Sequence, residues 1–250
     1  MQVGRFELVD RRVLAALRFV DAVMGLPASG LVEVAGARVV RNSGGLYVLL
    51  EPKPPQTELD AYTSSFRDAP AIPAPGSRPL ALTITPSGPY LPRAAGLELP
   101  LQSDDKNAAG FLLRPVQLRL FPAPVYAAEP QWALLRVSVF KQGADPPEPL
   151  GGVLLRVLRS PGGELLGLGL SDSRGEALVA VPRLTVLSLA APDVAVTLEA
   201  RRDLRLEAGQ PPDPDAIETA PAGTAWLATA TKGGLTIAPG RTTVVSVGMT

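Results

Sequence analysis

The chain contains neither cysteine nor histidine among its 250 residues. Without cysteine it can form no disulfide, no thiolate nucleophile and no cysteine-ligated zinc site. Without histidine it can build no Ser-His-Asp triad, no histidine general base and no histidine-ligated metal site. The remaining chemistry is that of carboxylates, lysine and hard-cation sites made of oxygen ligands.

The chain also lacks net charge and long apolar runs. Lys plus Arg is 24 and Asp plus Glu is 24, so no overall field attracts nucleic acid or an anionic membrane. The basic pairs Arg11–Arg12 and Arg201–Arg202 are not interleaved with aromatic residues, as single-stranded nucleic-acid binding requires. No window approaches the roughly 20 apolar residues of a membrane helix, and residues 1–30 do not follow the signal-peptide pattern. We therefore expect no nucleic-acid binding, no membrane insertion, and a cytoplasmic location or a particle assembled in the cytoplasm.

Proline and glycine divide the chain into short segments. The 27 prolines and 24 glycines lie between short apolar runs, and long helices do not survive such spacing. Residues 80–84, for example, alternate apolar positions with others, as a half-buried strand does. We predict a strand over Ala16–Asp21 and many further short strands. Strands of this length bounded by turn residues indicate an antiparallel sandwich or barrel.

Two long polar, proline-rich segments interrupt the predicted strands, at residues 51–79 and 206–226. Loops of this length inside compact domains are usually functional or contact partners, and a surface insertion without function is an equal alternative. A third proline-rich stretch, residues 121–131, favours extended polyproline-like geometry suited to a connector. We place the domain boundary there, which gives an N-terminal β-domain at 1–121 and a β-sandwich at 131–250.

A similar turn pattern occurs twice, at Asn42 with Gly45 and at Asp172 with Gly175. In such turns Asn or Asp accepts a hydrogen bond from the following backbone, and glycine supplies the positive φ angle. Both turns also contain a serine, but neither loop supplies a base that would activate it. We interpret the pair as structural turns, the same hairpin built twice, and predict no catalytic site in them.

Two acidic loops are candidates for a hard-cation site. Asp104 and Asp105 precede an asparagine and a glycine, but the spacing and the closing glutamate of an EF-hand are missing. Residues 213–218 are similarly acidic. A solvated turn is favoured over a metal site in both loops, so we predict no metal and no cofactor.

Aromatic residues make up only 5% of the chain, too few for the aromatic-lined subsites that sugars usually occupy. Trp132 and Trp226 are the two tryptophans, and each opens a predicted strand. Their roles are core packing or anchoring an interface. Tyr126, in the predicted connector, is a third candidate anchor.

Residues 151–184, GGVLLRVLRSPGGELLGLGLSDSRGEALVAVPRL, resemble a carboxypeptidase regulatory-like domain, a transthyretin-like sandwich attached to many unrelated proteins. Gly152, Asp172, Gly175 and Pro182 match the motif positions of that family. Residues 237–249 are similar to its last strand. The resemblance covers residues 131–250 and implies a β-sandwich.

Two phrases in the first half carry looser resemblances. The phrase that starts at Val20 and Asp21 is similar to immunoglobulin-like repeats that begin Val-Asp-Ala-x-Thr-Gly, with Met24 in place of Thr. Leu120, Pro122 and Tyr126 match a Leu-x-Pro-Ser-x-x-Tyr phrase of carboxypeptidase regulatory-like proteins in contractile phage-tail-like gene sets. This resemblance implies a component of a contractile injection particle.

These observations predict an all-β chain of two tandem immunoglobulin-like or transthyretin-like antiparallel sandwiches joined by the proline-rich connector. The expected function is that of a non-catalytic structural or protein-interaction component of a larger assembly, with protein partners. Exposed strand edges and the proline-rich segments would contact those partners. A carbohydrate- or ligand-binding accessory module and an enzyme using two carboxylates are the alternatives.

Overall fold

The structure is a computed structural model that describes residues 13–53, 78–99, 101, 114–184, 193–207 and 209–250. These residues form fifteen strands and one short helix, α1 (Pro214–Thr219). The predicted strand over Ala16–Asp21 is confirmed and begins at Ala15. The strands are β1 (Ala15–Asp21), β2 (Val32–Ala35), β3 (Ala37–Arg41), β4 (Tyr47–Pro52), β5 (Arg78–Pro86), β6 (Arg93–Leu99), β7 (Val116–Leu120), β8 (Ala133–Lys141), β9 (Glu148–Pro149), β10 (Leu154–Arg159), β11 (Leu165–Leu170), β12 (Glu176–Val181), β13 (Val194–Asp203), β14 (Leu227–Ile237) and β15 (Thr242–Met249).

The strands are arranged in four sheets. Their orders are β3-β4-β1-β7, β2-β5-β6, β11-β10-β13-β14 and β12-β8-β15, with β9 also paired to β8. Antiparallel pairing predominates, whereas β15 runs parallel to β8. The predicted all-β sandwich class is confirmed. Within the described residues, no helix is long and apolar enough to cross a membrane.

The chain divides into two compact units that are each discontinuous in sequence. Unit 1 contains the described residues among 1–18, 34–82 and 97–117, and unit 2 those among 19–33, 83–96 and 118–250. The division into domains 1–121 and 131–250 stays a prediction. Of the predicted loop 51–79, all but residues 51–53 and 78–79 lies outside the described residues.

The core of unit 2 lies between the sheets β12-β8-β15 and β11-β10-β13-β14. Apolar residues alternate along β8 and along β13, so every second side chain points to the same face. These inward side chains are all nearly or fully buried. From β8 and β13 they are Ala133, Leu135, Val137, Val139, Val194, Val196, Leu198 and Ala200.

The sheet β11-β10-β13-β14 is also covered on its other face. Leu154 and its neighbour Leu155 point to opposite faces of β10, and both are fully buried. Leu154 belongs to a second apolar cluster that contains Ile217 of α1 and Phe121. Ala22, from the first part of the chain, is partly buried against the same cluster. The helix and residues before position 131 therefore complete this side of the sandwich.

The edge strands of these two sheets lie beside one another. Gly169 of β11 faces β12 so closely that an added Cβ would be 2.7 Å from Cγ2 of Val179. At the other side, the amine of Lys232 on β14 donates to the carbonyl oxygen of Ser246 on β15 at 2.8 Å. In this sandwich each edge strand lies next to an edge strand of the facing sheet, β11 beside β12 and β14 beside β15. These edges therefore differ from the exposed strand edges that the sequence led us to expect.

Candidate functional site

The first of the two predicted turns connects the paired strands β3 and β4. The Asn42 side chain accepts a hydrogen bond from the Leu46 amide at 2.9 Å. The Asn42 amide donates to the Leu46 carbonyl, and the Gly45 amide donates to the Asn42 carbonyl. Gly45 has a φ of +77°, which a residue with a Cβ adopts only at a cost. The turn is a hairpin closed by its own backbone and by one side-chain oxygen.

The second turn repeats this hydrogen-bond pattern. The Asp172 side chain accepts from the Glu176 amide at 3.0 Å, and the Asp172 amide donates to the Glu176 carbonyl at 2.8 Å. The Gly175 amide donates to the Asp172 carbonyl, and Gly175 has a φ of +74°. Its flanking strands β11 and β12, however, belong to different sheets. The expectation of a second hairpin is therefore wrong: the same local turn here carries the chain from one sheet to the other.

A buried carboxylate lies at the end of β1. Asp21 is 5% exposed, and its Oδ1 accepts from the amides of Val23 and Met24 at 2.7 and 2.9 Å. Its Oδ2 accepts from the hydroxyls of Tyr90 and Tyr126, both at 2.9 Å. Four donors satisfy the carboxylate, as a buried charged group requires. We call the side chains of Asp21, Tyr90 and Tyr126 the Asp21 cluster.

The Asp21 cluster joins segments that are distant in sequence. Residues 89–91 and 121–123 are paired by backbone hydrogen bonds, and the Ala22 amide donates to the Leu120 carbonyl at 3.0 Å. Burial and the neighbouring carboxylate of Asp21 raise the pKa of Tyr90 and of Tyr126. Both hydroxyls therefore remain protonated donors at neutral pH. The two sequence phrases containing Asp21 and Tyr126 thus meet at one hydrogen bond.

A second cluster is built around a fully buried arginine. The Arg93 guanidinium donates to the carbonyl oxygens of Ala94 and Arg119 at 3.0 and 2.9 Å. Its third nitrogen donates to Asp215 at 2.6 Å, and more weakly to Asp213 at 3.4 Å. Since two carbonyl oxygens and two carboxylates receive its protons, the buried charge is both paired and hydrogen-bonded.

Asp215 lies between two arginines. One oxygen accepts from Arg93, and the other accepts from Arg119 at 2.7 Å. Arg119 also pairs with Glu218. Burial alone would raise the pKa of Asp215, but the charges of Arg93 and Arg119 outweigh it and hold that pKa below its usual range. We call Arg93, Arg119, Asp213, Asp215 and Glu218 the arginine cluster.

Asp213 fixes the start of α1 and attaches it to β6. Its Oδ1 accepts from the amides of Asp215 and Ala216 at 3.1 and 3.2 Å, the arrangement of an N-cap. Its Oδ2 accepts from the Gly96 amide at 3.0 Å. Pro214 follows at the first helical position, where its missing N–H costs nothing. This Asp-Pro signal was present in the sequence, and interpreting residues 206–226 only as a polar loop missed the helix.

The acidic residues 213–218 lie within the described part of the chain. The carboxylates of residues 213–218 pair with arginines, and no group of three acidic side chains there is arranged to hold an ion. The second candidate loop, containing Asp104 and Asp105, lies outside the described residues. A glycosidase acid needs a raised pKa, whereas the pKa of Asp215 is lowered.

The three candidate anchors occupy different environments. Trp132 is 5% exposed. This burial fits core packing, one of the two roles that the sequence left open for it. Trp226 is partly exposed, and the guanidinium of Arg205 lies 4.1 Å from the centre of its ring. Tyr126 is partly buried and bound to Asp21. An anchoring role for these residues stays a prediction.

Comparisons with known proteins add a distant likeness in structure. No protein-family model matches the chain, and no curated protein matches it in sequence. A solved structure that is similar is that of GBS52, the minor pilin of Streptococcus agalactiae, with 10% identity and a TM-score of 0.27 over 94% of this chain and 95% of that one. At this TM-score the likeness is no basis for assigning a function to the chain.

Proposed function

We propose that the chain is a non-catalytic structural or protein-interaction component of a larger assembly. The observation that carries the proposal is that the ionisable groups of the Asp21 cluster and of the arginine cluster are bound to partners within the chain. Asp21 accepts from two tyrosines and two amides, and Asp215 lies between two arginines. Groups engaged in this way hold backbone segments together and are not poised to exchange protons with a substrate.

The finer proposal is a component of a contractile-tail-like particle. What supports it is the sequence resemblance of residues 131–250 to carboxypeptidase regulatory-like domains, together with the phrase at Leu120, Pro122 and Tyr126. Protein partners, and a location in the cytoplasm or in a particle assembled there, belong to the same proposal. Nucleic acid and membrane have no part in it, because the chain carries no net charge that would attract them.

A carbohydrate- or ligand-binding accessory module is the second candidate. The partly exposed Trp226 favours it, since tryptophan faces commonly stack on ligands. Against it, Arg205 lies over the Trp226 ring and Trp132 is buried. Replacing Trp226 with alanine abolishes ligand binding if this module is the function and leaves assembly unchanged if it is not.

The experiment that tests the proposal is affinity purification of the full chain expressed together with the proteins of its native gene neighbourhood. Mass spectrometry and negative-stain imaging then identify what is recovered. We expect a particle or a defined complex that contains tail, sheath or baseplate proteins. A lone monomer with no stable partner would overturn the assembly proposal.

A further inference from the structure

We propose that the outer face of sheet β12-β8-β15 around Arg136 docks a partner protein segment in which a carboxylate is flanked by apolar side chains. We call Arg136, Val125 and Val244 the Arg136 surface. The inference deepens the assembly role proposed above and rests on it, because it names the surface used and the chemistry of the partner.

Strand alternation places Arg136 and Val244 on the same outer face. On β8, Leu135 and Val137 point into the core, so Arg136 between them points outward. On β15, Val245 is buried in the core and its neighbour Val244 is not. The parallel register pairs Val244 directly with Arg136. The two side chains are therefore neighbours across the paired strands β8 and β15.

A loop brings a second exposed valine to the same arginine. The Arg136 guanidinium donates a long hydrogen bond to the Pro124 carbonyl at 3.5 Å, and Val125 is the next residue. Val125 is 81% and Val244 is 74% exposed, the highest fractions among the large apolar side chains of the described residues. Isolated exposed apolar residues are ordinary, but here one is paired with Arg136 across the strands and the other follows the proline that Arg136 binds.

The loop that carries Val125 is held in place. The Ala123 amide donates to the Pro89 carbonyl, and the Tyr126 hydroxyl donates to Asp21. Because its backbone is already held, the loop loses little conformational entropy when a partner contacts Val125. Leu178, the β12 neighbour of Arg136, is 1% exposed, so the face is covered toward β12 and open toward β15.

Charge complementarity determines the chemistry of the partner. Within the described residues Arg136 has no carboxylate at ion-pair distance, whereas the exposed Arg174 and Arg205 each pair with an aspartate. Arginine pairs with a carboxylate through two parallel hydrogen bonds and is enriched among residues that dominate interface energies. A carboxylate with an apolar side chain on either side satisfies both the guanidinium and the valines.

The first test uses two synthetic peptides and the full chain. One peptide alternates valine with glutamate, and the other alternates valine with lysine. Methyl NMR titrations should show shifts at Val125 and Val244 with the glutamate peptide, and at least tenfold weaker binding of the lysine peptide. Arg136→Glu should reverse this preference. Arg18→Glu, a matched exposed arginine on β1, should leave it unchanged. Equal binding of both peptides, shifts elsewhere or no shifts would overturn the inference.

The second test separates this surface from the assembly role itself. The complex purified with the neighbouring gene products is compared for the unmodified chain, Val244→Lys and Val125→Lys. We expect both variants to lose at least tenfold in affinity while keeping the melting temperature. Val40→Lys, at a half-exposed valine on β3, is the control. If the variants still assemble, the surface is wrong and the assembly role stands. If the unmodified chain finds no partner, both proposals fail.

Discussion

The hydroxyl of Tyr126 donates a hydrogen bond to the carboxylate of Asp21 at 2.9 Å, although 105 residues of chain separate them. The same oxygen accepts from Tyr90, so one buried acceptor fixes three segments. The conformation of the loop that carries Val125 depends on this bond.

Tyr126→Phe should lower the free energy of unfolding by about 1 kcal/mol, the usual net value of one hydrogen bond. Asp21→Ala should cost about 3 kcal/mol or more, because it leaves two hydroxyls and two amides without their acceptor. Urea unfolding measures both. In the Asp21→Ala background Tyr126→Phe should cost almost nothing, and an undiminished cost there would mean that the hydroxyl acts through another partner.

Arg93→Met should destabilise the chain by about 1 to 3 kcal/mol, since Asp215 loses one of its two cations and the carbonyl oxygens of Ala94 and Arg119 lose their donor. The exposed pair Arg38–Glu51 is the matched control, and Arg38→Met should cost under about 1 kcal/mol. Thermal and urea unfolding of the two variants measure the difference. Equal costs would contradict a stabilising role for the arginine cluster.

The stability of the chain should fall in acid in a way that depends on Asp215. The pKa of this carboxyl is lower in the folded chain than its usual value, so the unfolded chain binds the proton more readily. The stabilisation is therefore complete above the unfolded pKa of about 3.9 and is lost as pH falls through the lower folded value. Urea titrations between pH 2 and pH 6 should show this loss. The Asp215→Asn variant should lack the part of the pH dependence that comes from this carboxyl. An unchanged acid profile in the variant would contradict the assignment.

Gly175→Ala should be far more damaging than Gly45→Ala, although the two turns share one hydrogen-bond pattern. Both glycines have positive φ angles, which cost a residue with a Cβ about 1 to 2 kcal/mol. At Gly175 the added Cβ would also collide with the carbonyl oxygen of Val139, whereas at Gly45 it meets no atom within 4 Å. The fall in melting temperature of each variant from the unmodified chain measures the effect, and an equal fall in both would contradict the collision at Gly175.

A fragment of residues 131–250 should be less stable than the full chain. It lacks Phe121, and with it the partly buried Ala22 and Leu91, so Leu154 loses part of its apolar cover. It also lacks both cations of the arginine cluster, Arg93 and Arg119. We expect the fragment to bind a hydrophobic dye and to melt earlier. A fragment as stable as the full chain would support the domain boundary at residues 121–131.

Local features of the fold could be predicted from the sequence, whereas distant contacts could not. Alternation identified β1, and Asn or Asp followed by glycine identified both turns, because these signals arise within a few residues. The side-chain partners of Asp21 and Arg93 lie 69 to 122 residues away, and no local pattern encodes them. The helix at Asp213–Pro214 had a local signal, but its six residues were too few to show an apolar period.

The burial of Arg93 has a consequence for the chain while it is being synthesised. Asp215, which neutralises this arginine, is 122 residues further along. At translation rates of about 5 to 20 residues per second, that interval lasts roughly 6 to 24 s. During it the guanidinium lacks its carboxylate partners, so we expect β6 to reach its final place only after α1 has left the ribosome. We therefore expect the burial of this arginine to be a late step, which follows the synthesis of α1.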